Sequence, residues 1–293
     1  MSRHMRHRGP RTLWRRASTG RRVVMVATGA VAVICAMALV MGTIRFIQWR
    51  HAVATAQSNQ TRLSSEYGFN PGNILSDGQL FTGNAMSRAE VQAFLDKQGA
   101  SCSAKTCLRT VSFDTDRQSG DGLCADYAGA KHESAATIID KTSKACSISQ
   151  KVLLTMLQKE QHLVSSTQPT DFQFKAAMGL SCPDDGHCDS RYAGFARQVY
   201  GAAKRYRYYQ AHESEYAYHA KALNYVRYHP QASCGGSMVY IENTATALLY
   251  IYTPYQPNVA ALRAGAGEGD SCSSYGNRNF AIIYHSWFGD SQS

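Results

Sequence analysis

The most one-sided stretch of the chain is Val23 to Ile44, 22 residues without a charge (VVMVATGAVAVICAMALVMGTI). At the rise of an α-helix such a run spans a hydrocarbon core of about 30 Å. It lacks the polar stripe that a surface helix of a globular domain carries. The pattern predicts one transmembrane helix over 23–44. Residues 45–68 are polar and aperiodic and predict a juxtamembrane linker. From Phe69 onward the pattern becomes amphipathic. Ser87 opens S-R-A-E, a capping box, and predicts a helix over 87–98 with Val91, Phe94 and Leu95 on one face and Gly99 at its end. Ala135 to Asp140 begins another helix. The strongest helical signal is 148–164, with Ser147 as its cap. An aromatic-rich helix is predicted over 190–210, and one over 243–252 between Asn243 and Pro254. Residues 280–288 read as strand or helix. Strands are few. The expected fold class is mainly α with a minor α+β character: one N-terminal transmembrane helix followed by a body in two parts, 69–145 and 146–293.

Charge sets the orientation. Residues 1–22 hold eight Arg and no Asp or Glu, so they form a basic tail on the cytoplasmic side of the span. That tail supplies +8 of the formal net charge of +10, and only +2 remains for everything after it. The basic pI therefore implies no nucleic-acid partner. The expected location is the plasma membrane, single-pass, with the C-terminal body extracytoplasmic. Ala54-Thr55-Ala56 has the small-x-small form of a cleavage site. It lies about ten residues beyond the apolar run, which itself is longer than the usual 7–15 residues of a signal core. An uncleaved anchor is the expectation.

Cysteine usage agrees with that topology. Cys35 falls in the span, and eight others follow it. An even number in an external domain implies a disulfide framework. Eight cysteines allow 105 connectivities, so the sequence does not fix the pairing. The sequential arrangement is the working expectation: Cys102–Cys107, Cys124–Cys146, Cys182–Cys188 and Cys234–Cys272. No pair has C-x-x-C spacing, so no zinc site is expected.

One residue breaks the apolar pattern. On an ideal wheel Leu153, Met156, Leu157, Leu163 and Val164 all lie within about 60° of Glu160. Lys151, Thr155, Gln158 and His162 make up the polar face. A charge on the core side is costly unless paired or neutralised. A carboxyl in apolar surroundings tends to keep its proton, as a general acid for glycosidic cleavage must. The structural alternative is a Glu paired with a buried arginine such as Arg197 or Arg227.

Local motifs add to this reading. The stretches KVLLTMLQKEQ (151–161), AAMGLSCPDD (176–185) and YAGFARQVYGAA (192–203) resemble secreted actinobacterial proteins with a lysozyme-like domain, some of them haemagglutinin-related. VRYHP (226–230), IENTATALLYIYTPYQPN (241–258), SYGNRNF (274–280) and the terminal WFG (287–289) fit the same group. The deeper resemblance is to lytic transglycosylases and peptidoglycan glucosaminidases. It implies a lysozyme-like domain over 146–293, Glu160 as acid/base, and Met178, Gly179 and Leu180 as a substrate-binding edge. Two departures stand out. Gln161 replaces the usual Ser after the Glu, and a Cys follows Leu180 where a Met-Gln pair is usual. A hydrolase uses a second carboxylate about 5–5.5 or 6.5–9.5 Å away, whereas a transglycosylase works with one. Asp171, Asp184, Asp185, Asp189 and Asp270 are candidates, and spacing distinguishes none.

The 17 tyrosines cluster at 206–209, 216–218, 225–228 and 250–255. Sugars stack on such rings, but tyrosines at helical spacing serve equally as amphipathic core. Tyr225, Tyr228 and Tyr255 lie beside turn prolines and are the candidates for glycan contact. The ten histidines make no metal-binding motif, and no Walker loop, nucleophile elbow or dinucleotide fingerprint occurs. No metal or cofactor is expected. The functional expectation is a membrane-anchored enzyme that cleaves cell-wall glycan. The alternatives are a non-catalytic adhesin or wall-binding module, and a structural partner in a wall-synthesis complex.

Overall fold

The computed structural model describes residues 18–182 and 188–292. The chain divides into two units, Met1–Ala54 and Thr55–Ser293.

Helix α1 (Thr19–Tyr67) contains the uncharged run and is long and apolar enough to cross a membrane. A signal sequence shares those properties. Within the run the Thr28 and Thr43 hydroxyls donate to the carbonyls of Val24 and Leu39, at 2.9 and 2.8 Å. Both polar groups are thus satisfied inside the helix, as an apolar surround requires. The predicted linker is corrected here: residues 45–67 are helix, not aperiodic coil. Polar composition hid the few positions that pack. In the second unit Ala56, Gln60 and Leu63 are buried. Gln60 accepts from the Tyr240 amide and donates to Glu242, so this end of the helix is tied to the body by long-range hydrogen bonds.

The remaining elements follow in order: α2 (Asp77–Leu80), α3 (Arg88–Gln98), β1 (Ser112–Phe113), β2 (Glu133–Ser134), α4 (Ala135–Cys146), α5 (Gln150–Gln161), α6 (Asp171–Lys175), α7 (Phe195–Ala211), β3 (Ala222–Arg227), β4 (Gly236–Ile241), α8 (Thr244–Tyr252), α9 (Val259–Arg263) and α10 (Gly276–Phe288). The mainly helical class holds. The Ser87–Glu90 capping box forms in full at α3, and Asn243 caps α8 by accepting from the Thr246 amide. Ser147 does not cap α5. It is a left-handed residue (φ 51°) that ends α4, and Ser149 stands before α5 instead. Residues 280–288 are helical.

Helix α5 lies at the centre, packed against α4 and α10. Its predicted polar face is a second correction. Thr155 and Gln158 are buried, the first donating to the Lys151 carbonyl and the second donating to Ser165. A helix surrounded by others hides polar side chains when they find partners. The expected boundary at 145/146 has no counterpart, because one hydrophobic cluster runs from Leu63 through α4, α5 and α7 to Tyr284. β3 and β4 form an antiparallel hairpin that the periodicity did not reveal.

Four disulfides join Cys102–Cys107, Cys124–Cys146, Cys182–Cys188 and Cys234–Cys272, which is the sequential pairing. Many tyrosines are core. Tyr206, Tyr250 and Tyr284 are fully buried, and the last two donate to the Pro71 carbonyl and to Gln79 at 2.9 and 2.6 Å.

Candidate functional site

Helix α5 ends at His162, a left-handed residue (φ 52°), so Glu160 occupies the last helical turn. Its side chain is 23% exposed. The carboxylate is neither unpaired nor fully enclosed, as the wheel alone suggested. Oε1 sits 2.7 Å from the Lys159 ammonium, which also donates to Thr253 Oγ1 at 3.1 Å. Neither proposed arginine is its partner. Arg197 pairs with Asp116 at 3.0 Å, and Arg227 donates to the Pro230 carbonyl.

The segment 178–180 does come to Glu160, but through its backbone. Met178 and Leu180 are buried, and only Gly179 is exposed. Gly179 has φ +67°, and a Cβ there would lie 3.2 Å from Glu160 Oε2. Glycine suits that position on both counts. The turn is held by Gln198 of α7, whose Oε1 accepts from the Met178 and Leu180 amides and whose Nε2 donates to the Leu180 carbonyl. Tyr252 donates to the Met178 carbonyl and stacks on Tyr206 with ring centroids 5.2 Å apart. Burial first, and then the charge of Glu160, push both hydroxyls well above the ordinary tyrosine range. The two phenols therefore stay protonated beside the carboxylate. Among the described residues no hydrogen bond reaches Glu160 Oε2.

The other predicted positions sort differently. Tyr225 is 55% exposed on β3, Tyr228 follows that strand, and Tyr255 bridges to Arg227 beside it. They gather at the hairpin, and Tyr255 lies two residues from Thr253, the acceptor of Lys159. Asp189 is chelated by Arg191, and Asp270 accepts from Asn258, Ser273 and the Cys272 amide. Asp171 begins α6. Asp184 and Asp185 lie outside the described residues. Among the described residues no three His, Cys, Asp or Glu side chains are placed to hold a metal ion.

Sequence reasoning missed a cleft of about 930 Å³ between the β1 region and α7. Phe113, Tyr192, Phe195 and Tyr208 supply ring surfaces, and Arg191, Arg197, Lys204 and Arg205 supply positive charge. One signal was available. Arg197, Gly201, Lys204 and Tyr208 recur at three- and four-residue spacing and mark one face of α7. The opposite wall comes from residues far away in sequence and left no trace. The cleft adjoins the Glu160 turn, because Leu180 packs over Gly201, a lining residue.

No curated protein and no solved structure matches the chain. The lysozyme-like and haemagglutinin resemblances thus rest on the motifs alone. The N-terminal apolar helix and the four disulfides mark an extracytoplasmic protein. Residues 73–293 match the family described as LasA, N-terminal domain, and the chain belongs to that family.

Proposed function

We propose that the protein acts on cell-wall polymer outside the cytoplasmic membrane, and that Glu160 is the acid/base of a glycan-cleaving site. LasA is a secreted staphylolytic peptidase, which supports a wall substrate for this family. Cleavage of the glycan rather than of peptide rests on Glu160 alone. The carrying observation is the second carboxylate oxygen. Oε2 has no donor among the described residues, lies against the exposed left-handed Gly179, and belongs to a partly exposed side chain.

The chemistry needs one carboxyl. Glu160, in its protonated form, gives that proton to the glycosidic oxygen as the bond from that oxygen to the anomeric carbon breaks. A hydroxyl of the same sugar attacks the anomeric carbon and returns its proton to Glu160, so an anhydro sugar forms and no water is consumed. The backbone of Gly179 leaves space beside Oε2 for the leaving sugar. Helix α1, whose threonine hydroxyls are satisfied internally, serves as an uncleaved anchor in this proposal. Recovery of the full-length chain in a carbonate-washed membrane fraction is expected, and a shortened soluble form would replace anchor with signal sequence.

The test is mass spectrometry of purified wall after incubation with wild type and Glu160→Gln. Anhydro-ended fragments from wild type and none from the variant are expected. Full release by the variant would sink the assignment. A second reading, a wall-binding module without catalysis, is favoured by the ion pair that Lys159 makes with Oε1. It predicts retention of glycan with no soluble fragments from either protein.

A further inference from the structure

The cleft between β1 and α7 has features that the Glu160 chemistry does not use. Its charges are almost all paired locally. Arg197 meets Asp116 at 3.0 Å, Lys204 meets Asp121 at 2.5 Å and Arg191 meets Asp189 at 2.6 Å. Asp114 on the opposite wall is held by Lys131 at 2.8 Å. Arg205 differs. Among the described residues no carboxylate lies within ion-pair distance, and its guanidinium rests 6.0 Å from the ring centroids of both Tyr208 and Tyr209. Ring faces orient a guanidinium without neutralising it. A second group is unfinished as well. Tyr200 is 8% exposed, lines the cleft, and its buried hydroxyl has no hydrogen-bond partner among the described residues. Buried hydroxyls are normally satisfied, so an exception needs a reason.

We propose that this cleft binds a short saccharide bearing a carboxylate, with Arg205 taking the anion and Tyr200 donating to, or accepting from, the sugar. The volume of about 930 Å³ suits a ligand of one or two sugar rings. Phe113 and Tyr208 offer ring faces on which a sugar can stack, while the Arg205 guanidinium selects an acid sugar over a neutral one. This inference does not require Glu160 to be catalytic.

Calorimetric titration of the full-length protein in detergent tests it. The probes are the N-acetylglucosamine–N-acetylmuramic acid disaccharide and the neutral N-acetylglucosamine disaccharide. Binding of the acid sugar at least tenfold tighter than the neutral one is expected. Arg205→Gln should abolish that preference. Tyr200→Phe should weaken both ligands several-fold while leaving the melting temperature unchanged or higher, because it removes a hydroxyl without a partner. Loss of the preference in Arg205→Gln, a residue outside the Glu160 turn, separates this site from the catalytic assignment. No binding, equal affinity for the two sugars, or variants of Arg205 and Tyr200 that bind as wild type would overturn the proposal.

Discussion

Two glutamates of the body, Glu133 and Glu160, each sit beside a lysine, yet their surroundings differ in kind. Glu133 starts β2 and its side chain is 6% exposed. Lys141, Thr115 and Tyr127 all donate to it, Lys141 and Thr115 at 2.5 Å and Tyr127 at 2.7 Å. Burial alone would raise its pKa. The three donors outweigh that and hold it below the ordinary glutamate value. Both oxygens are occupied, and the group fastens β2 and α4 to the loop carrying Tyr127. Glu160 is 23% exposed, has one cation on one oxygen, and faces a glycine with the other. Burial of a carboxylate therefore does not identify chemistry. The proposal for Glu160 rests instead on the oxygen that has no donor among the described residues.

The sharpest way to break this contrast is to remove each charge in turn. Glu160→Gln should lower release of wall fragments by about 10²–10⁴-fold, the range for losing a general acid, a loss far larger than the fall in folded protein from leaving Lys159 without its counter-charge. Glu133→Gln should do the reverse. Loss of its charge-assisted hydrogen bonds should cost about 2 kcal/mol in denaturant unfolding, with activity per folded molecule retained. If the two variants exchange these phenotypes, the comparison fails.

A smaller effect sharpens the Glu160 side of it. Gly179→Ala places a Cβ 3.2 Å from Oε2 at a positive φ. About 1 kcal/mol of stability should be lost to the left-handed backbone. Fragment release should fall further than that loss explains, read as activity normalised to folded protein. An alanine variant as active as wild type would show that Oε2 needs no open space beside it.

The smallest expected effect is a pH dependence. Glu133 has a folded pKa below its unfolded one, so its stabilisation is fully present above the unfolded value. It is lost as pH falls through the depressed folded value. Denaturation midpoints of wild type should therefore decline on acidification below the ordinary glutamate range, and Glu133→Gln should flatten that decline. Equal slopes for the two proteins would mean that the charge of Glu133 contributes nothing to the acid limb.

How much was readable in advance depended on how local the signal was. The capping box at Ser87 and the Asn243 cap follow from residues close together in the chain, whereas the disulfide pairing was one working expectation among many. The motif implied Met178, Gly179 and Leu180 as a substrate-binding edge without saying how they meet Glu160. The side chains of Met178 and Leu180 are core, and the backbone of Gly179 lies beside the carboxylate. Tyr206 and Tyr250 were indistinguishable from surface stacking residues until their neighbours were known. The cleft was the least legible feature, because its two walls stem from residues 112–127 and 191–208.

The sequence by itself determined the long apolar helix, the helical class of the body and the spacing that puts Glu160 on the apolar side of α5, although the helix stops at Gln161 and not at 164. Those properties depend on hydropathy, capping and periodicity within a few residues. Only the tertiary structure decided that residues 45–67 continue as helix, that Lys159 and not an arginine pairs with Glu160, and that one oxygen of that carboxylate meets no donor among the described residues. Packing places groups distant in sequence within ångströms of one another, and at that range partner and exposure, rather than residue type, decide what a charge can do.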